Sequence, residues 1–334
     1  MKISASVFAN RSKPLDQYVR ELDALRVDML HFDVHDDDSV FATLRQVRSL
    51  SATPIDLHII TPTPEKYIPH IDDLKIEYVS FQFESLRRPF TLPAMPNTKW
   101  GLCVKAATPA EQYAAILPGF EFLQVMCTTP GVSGGTFHKE NFRLINEILG
   151  RFPDKEIFVD GGVNDEIAFV LRLMGVRGIV TGSYLANHRS LGAGLLNLHR
   201  APESVSELTV GDFCMPASHM PVIAEHDCKL QRVLETIENY RRGFVLVTDD
   251  TLRLRGVITN ADVRRALLRT ACRAEDIRPE HLINRQPVVL HHRASLQDMI
   301  RLVNHLNFII LFLPVVDENQ KIHGVILLNH LTRT

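Results

Sequence analysis

Two imidazoles and two carboxylates stand at the ends of three short apolar runs. MLHFDVHD carries His31 and Asp33, PIDLHII carries His58, and IFVDGGV carries Asp160. Residues two apart in a strand point to the same side, so His31 and Asp33 share a face. Two imidazoles with two carboxylates suit one divalent metal (Zn, Fe, Mn or Co), and choosing among these needs geometry. A single strand His is more often a packed or hydrogen-bonded residue than a ligand. The joint occurrence at three strand ends favours a shared ion, because two buried carboxylates in one cavity would repel each other without a cation between them.

Short runs rich in β-branched residues recur at 3–8, 28–34, 55–60, 77–83, 99–104, 121–127, 156–160 and 178–182. Most intervening stretches have helical patterning, as in PLDQYVRELDAL and VFATLRQVRSL. Eight strand–helix alternations predict an α/β fold, a closed parallel (β/α)8 or TIM barrel over residues 1–200. An open doubly wound sheet is the runner-up, but it wants a Gly-rich turn after the first strand, and that turn here reads ASVFANRS. In such a barrel chemistry sits at the C-terminal strand ends, which is where the four residues fall. Glycines cluster after the last three strands: Gly131, Gly134 and Gly135 in MCTTPGVSGGTF, Gly161 and Gly162, then Gly182 beside Ser183. Each alone reads as an ordinary turn glycine. Together they predict a phosphate cradle built from backbone N–H groups.

The bulk composition narrows the partners. The chain has 334 residues, 45% of them hydrophobic, and 37 basic against 39 acidic residues give a net charge of −2. No block of one sign predicts nucleic-acid binding. Five scattered cysteines without a C-x-x-C pair fit a reduced compartment. MKISASVFAN lacks a signal-peptide apolar core, and the longest apolar run, 308–316, is too short for a bilayer and holds Pro314. A cytoplasmic protein without membrane or nucleic-acid partners is expected.

The stretches ISASV, LHFDVHD, PIDLHIITPTPEKYI, WGLCVKAATP, MCTTPGVSGGTF, FVDGGVN and TGSYL resemble the ribulose-phosphate 3-epimerase family over nearly all of residues 1–200. The resemblance implies a metal held by His31, Asp33, His58 and Asp160, with Asp33 and Asp160 also serving as acid and base. It implies that Ser6 contacts substrate and that Gly134, Gly162, Gly182 and Ser183, with Gly161 beside them, bind the sugar's phosphate. The chemistry is coherent. A C3 proton next to a ketone is too weakly acidic for a free carboxylate, a Lewis acid stabilises the enediolate, and inversion needs one proton-transfer group on each face. The expected enzyme is an isomerase acting on ribulose 5-phosphate or a related ketose phosphate.

Departures surround that core. The family follows its strand-2 Asp with V-M-D-G and an F-V-P-N segment; here the chain reads Val34-His35-Asp36-Asp37-Asp38-Ser39-Val40-Phe41. Gln82 replaces a His near the end of strand 4 while Glu84 remains, Lys105-Ala106 replaces Asn-Pro after strand 5, Thr129 and Gly135 alter the strand-6 loop, and the D-F pair after strand 1 is absent. A changed substrate-covering shell predicts a changed substrate. His35 with Asp36, Asp37 and Asp38 either touches that sugar or forms an acidic cap on the next helix. Two other readings compete: a degenerate barrel kept as a sensor or scaffold, and an aldolase or decarboxylase, for whose Schiff-base aldolase form Lys105 is the one candidate.

After a polar linker at 201–207, residues 208–334 contain two similar units, about 208–270 and 280–334. Each runs strand, helix, strand pair, then helix, and their matching ends are LRLRGVITNADVRRAL and NQKIHGVILLNHL. They resemble a tandem CBS (α+β) pair, most of all those attached to sugar nucleotidyltransferases and arabinose-5-phosphate isomerases. The resemblance implies that Thr259 and Asp262 meet a nucleotide's phosphate and ribose, with Arg264 or Arg265 near phosphate. Leu327 and His330 replace that pair in the second unit. A nucleotide or nucleotide-sugar effector is therefore expected at one site, against a purely structural pair that dimerises. Both modules predict a homo-oligomer.

Overall fold

The computed structural model describes all residues except 88–90, 133, 204–205 and 333–334. The chain divides into two compact units, residues 1–204 and 205–332. Two residues of the expected linker (204 and 205) and Ser133 of the expected phosphate loop lie outside the described residues.

The first unit is the predicted closed barrel, with strands paired in order from β1 to β8 and β8 returning to β1. The strands are β1 (Lys2–Ser6), β2 (Met29–Val34), β3 (Ile55–Ile59), β4 (Tyr78–Gln82), β5 (Lys99–Lys105), β6 (Phe122–Met126), β7 (Glu156–Asp160) and β8 (Gly178–Thr181). All are parallel to their neighbours. Helices α1 (Leu15–Ala24), α2 (Ser39–Leu50), α3 (Ile68–Leu74), α4 (Glu140–Arg151), α5 (Asp165–Met174), α6 (Ser183–Ala186) and α7 (Leu191–Leu198) form the connections. Among the described residues, the links β4–β5 and β5–β6 hold only 3-10 turns.

Alternate strand residues face inward and stack in layers. The floor is apolar, where Met29, Tyr78, Phe122 and Phe158 pack together. Above it the inward residues turn polar: Ser4, His31, Asp56, His58, Ser80, Gln82 and Gln124 are all buried. Register decides who meets whom. β2 pairs with β3 so that His31 lies opposite Asp56 and Asp33 opposite His58.

The second unit holds the duplicated pattern. After α8 (Val210–Phe213) and β9 (Met215–Pro216), the first repeat runs β10 (Val222–Ala224), α9 (Leu230–Tyr240), β11 (Phe244–Thr248), β12 (Leu254–Thr259) and α10 (Asn260–Arg269). Following α11 (Pro279–Leu282), the second runs β13 (Leu290–His291), α12 (Leu296–His305), β14 (Phe312–Val316) and β15 (Ile322–Leu327). Sheet orders are β10-β11-β12 and β13-β14-β15-β9. The equivalent residues Phe244 and Phe312 stack between repeats at 3.8 Å.

One expectation is corrected. Among the described residues the second repeat closes on a 3-10 turn, Leu328–Thr332, rather than a helix. The physical reason is the cap: α10 starts from a Thr259/Asp262 capping box, and the equivalent positions carry Leu327 and His330, which cannot form one.

Candidate active site

His31 is 1% exposed, and its two ring nitrogens have different surroundings. Nδ1 lies 2.8 Å from Asp56 Oδ2, an oxygen that also accepts the Ser4 hydroxyl at 2.7 Å. A carboxylate only accepts, so Nδ1 carries a proton and Nε2 is the nitrogen left for a cation. That Nε2 is buried without a hydrogen-bond partner among the described residues. It faces Asp33 Oδ1 at 3.4 Å and Asp160 Oδ2 at 3.7 Å.

His58 is oriented by a longer relay. Glu84 accepts the Lys105 backbone N–H at 2.9 Å, the Thr108 hydroxyl and the Gln82 amide nitrogen. Burial opposes ionisation of Glu84, but these donors hold its carboxyl below the usual range. Because Gln82 must donate to Glu84, its Oε1 is left to accept from His58 Nε2 at 2.9 Å. His58 Nδ1 hydrogen-bonds Asp33 Oδ1 at 3.0 Å, and with Nε2 committed to Gln82 it is the nitrogen a cation would take in place of that bond. Asp160 is steadied by Gln124, whose amide donates to Oδ2 at 3.2 Å.

Two imidazole nitrogens and two carboxylates thus converge. Donor atoms of His31, Asp33 and His58 lie within 4.8 Å of one another, and Asp160 joins through its approach to His31. The donor set fits a divalent cation, with the carboxylate–histidine and amide–histidine bonds behind it that metal-ligating imidazoles use. In the metal-free chain protons partly substitute. Burial would lower His31, but Asp56 and Asp33 outweigh it and hold the imidazole well above its ordinary value. Burial likewise opposes the charge on Asp33, yet His31 and His58 keep it well below the carboxylate range. Burial pushes Asp160 up to about 6.

A cleft of about 200 Å³ opens above these residues. His31, Asp33 and Asp160 line it, while His58 is fully buried and does not. Each residue expected to contact sugar or phosphate lines it: Ser6, Gly131, Gly134, Gly161, Gly162, Gly182 and Ser183. Gly162 has φ +70°, and a Cβ there would stand 2.3 Å from the Phe137 backbone nitrogen. No side chain fits without moving the strand-6 loop.

The acidic segment after β2 splits between its two expected roles. His35 lines the cleft, with its ring against Gly131, where a Cβ would meet Nε2 at 1.7 Å. Asp37 accepts the Ser39 backbone N–H at the start of α2 at 2.9 Å. Asp36 pairs with Lys66 at 2.9 Å and accepts from Thr61. Sequence reasoning missed Asp56, Ser4 and Gln124; the period-2 pattern marks them as inward-facing, and only barrel closure says what they face.

In the second unit, Thr259 and Arg264 line a cleft of about 490 Å³ beside Phe244 and Phe312. Asp262 does not line it. Its carboxylate accepts the Thr259 backbone N–H at 2.9 Å and pairs with Arg265. No helix among the described residues is long and apolar enough to cross a membrane.

Comparison with known proteins places both units. A profile of the ribulose-phosphate 3 epimerase family matches residues 2–186, and the CBS domain matches residues 210–269 and 275–334. The ribulose-phosphate 3-epimerase of Methanocaldococcus jannaschii is 24% identical over 214 residues, 60% of this chain and 91% of the relative. That of Aquifex aeolicus is 28% identical over 180 residues, 50% of this chain and 81% of the relative. A crystal structure of the CBS-pair protein CBSX2 from Arabidopsis thaliana, 25% identical, covers 38% of this chain and 94% of that one, with a TM-score of 0.33. The chain is an isomerase that belongs to the ribulose-phosphate 3 epimerase family and carries a CBS pair after its barrel.

Proposed function

We propose that the barrel inverts C3 of a ketose phosphate, ribulose 5-phosphate or a close relative, with Asp33 and Asp160 exchanging the C3 proton on opposite faces. The carrying observation is His31 Nε2: buried, unpartnered among the described residues, and faced by both carboxylates at 3.4 and 3.7 Å. His31, Asp33, His58 and Asp160 would hold one Zn, Fe, Mn or Co ion. Such an ion supplies Lewis-acid stabilisation for the oxyanion that develops as the C3 proton leaves.

The protein's own part is placement. The glycine loops offer backbone N–H groups to the phosphate, and Ser6 offers a hydroxyl to the sugar. Asp56 and Gln82 hold both imidazoles in the ligating tautomer. His35 at the cleft rim, where the family has Met, supports a sugar that differs from ribulose 5-phosphate in the groups it presents there. A nucleotide or nucleotide-sugar effector belongs to the same reading, supported by Thr259 and Arg264 on their cleft. So do self-association, supported by exposed Phe308, Ile309 and Leu311, and a place in surface-sugar metabolism.

The test is a panel of ketose phosphates in deuterated water, scored for deuterium at C3. The native chain should exchange and epimerise at least one. Asp33→Asn and Asp160→Asn should each lower exchange by about 10²-fold or more. Undiminished exchange in both variants sinks the assignment.

A further inference from the structure

We propose a second metal site, of the zinc class, in the second CBS repeat, formed by His291, His292 and Glu318 with His323 as the adjacent fourth donor. Donor atoms of His291, His292 and Glu318 already lie within 4.8 Å of one another. His292 Nε2 sits 3.6 Å from Glu318 Oε1 and is buried without a hydrogen-bond partner among the described residues. The His292 ring lies 4.7 Å from that of His291 and 5.2 Å from that of His323. In a tetrahedral zinc site the donors stand roughly 3.3 Å apart, given bonds of about 2.0–2.1 Å. The His292–Glu318 spacing, 3.6 Å, is close to that, and the other imidazoles would have to close on it by side-chain rotation.

Sheet geometry explains the gathering. His291 pairs with Val316 across β13 and β14, which puts Glu318 just beyond it. Val316 in turn pairs with Ile322, which brings His323 to the same sheet end. The first repeat supplies an internal comparison, because Thr248 pairs with Leu254 as Val316 pairs with Ile322. By that correspondence, with Ala224 paired to Thr248 as His291 is to Val316, Ala224, Glu225, Asp250 and Arg255 occupy the four equivalent places. His226 Nδ1 also approaches its carboxylate, Asp250, at 3.4 Å, but both are strongly exposed. Arg255 there pairs with Asp249 at 2.9 Å. The first repeat therefore has no imidazole at the equivalent places and only an exposed His226–Asp250 pair nearby, whereas the second gathers three imidazoles around Glu318.

Two competing contacts are weak. Arg293 approaches Glu318 at 2.7 Å, but its side chain is 71% exposed and free to swing into water. His291 Nδ1 accepts the Arg293 backbone N–H at 3.2 Å, a long bond that ligation would displace. Two or three neutral imidazoles with one carboxylate match zinc and its neighbours rather than calcium or magnesium, which want oxygen donors. Bound metal would tie the end of β13 to the β14–β15 turn.

The experiment is equilibrium dialysis of the full chain, stripped with chelator, against Zn²⁺ alone, with elemental analysis. The native chain should retain two ions and the His292→Ala/Glu318→Ala variant one. His323→Ala should weaken the second ion about tenfold or more, while His226→Ala should leave the count unchanged. Far-UV circular dichroism checks that these partly exposed substitutions leave the fold intact. If native and His292→Ala/Glu318→Ala chains retain the same number of ions, the site is refuted and the barrel reading is untouched. If the native chain retains one ion and the double variant none, this site stands and the barrel's metal reading fails.

Discussion

His58 and Gln82 share a 2.9 Å hydrogen bond whose direction is set by a third residue, Glu84. Because Gln82 spends its amide nitrogen on Glu84, its oxygen must accept from His58 Nε2, and His58 Nδ1 is left as a ligand. Gln82→Leu removes that restraint while keeping bulk. Metal affinity, measured by chelator competition, should fall about tenfold or more. Gln82→Glu keeps an acceptor but places a second carboxylate beside Glu84. It should retain more affinity than Leu at neutral pH and lose that advantage as pH falls. Equal affinity in native and Leu chains would dismiss the relay.

Asp56 does the corresponding work for His31. It is 0% exposed, and its Oδ2 accepts from both His31 and Ser4. Asp56→Asn can present an amide nitrogen to His31 Nδ1 and turn the imidazole to the wrong tautomer. Metal affinity should drop about 10- to 100-fold. Ser4→Ala should cost less, since the His31 bond remains. The ratio of the two losses is the measurement.

Metal uptake should release a proton. In the metal-free chain the carboxylates of Asp56 and Asp33 overcome burial and hold His31 well above the ordinary imidazole value. The cation needs the unprotonated Nε2. Affinity should therefore climb with pH while His31 is protonated in the metal-free chain, and level off above that raised value. The sign for stability runs with it. A raised folded pKa stabilises the metal-free chain fully below the unfolded value and loses that contribution as pH rises through the folded value. Calorimetry in buffers of different ionisation enthalpy reads the proton directly; zero release near neutrality would contradict the charge assignment.

Gly162 tests the phosphate cradle. At φ +70°, with a virtual Cβ 2.3 Å from the Phe137 nitrogen, Gly162→Ala forces both backbone strain and a loop shift. The expected cost is about 1–3 kcal/mol of stability. KM for the sugar phosphate should rise more than kcat falls, because the loop binds a remote group. A pure kcat defect would remove this loop from phosphate binding.

The parts legible in the sequence were those that local rules determine. Strand period marked which residues point inward, and strand ends marked His31, Asp33, His58 and Asp160 as neighbours at one mouth of the barrel. The eight runs matched the barrel strands to within one or two residues at each edge. The LRLRGVITNADVRRAL stretch marked a strand leading into a helix, and only the tertiary structure shows Asp262 bonded in that helix's cap rather than lining the cleft. What tertiary structure alone decided is who stands behind whom. The β2–β3 register puts Asp56 behind His31, and the β13–β14–β15 register gathers His291, His292, Glu318 and His323 from distant points on the chain. Sequence periodicity reports the face a side chain takes; its neighbours across the sheet depend on register and closure, which no single strand encodes.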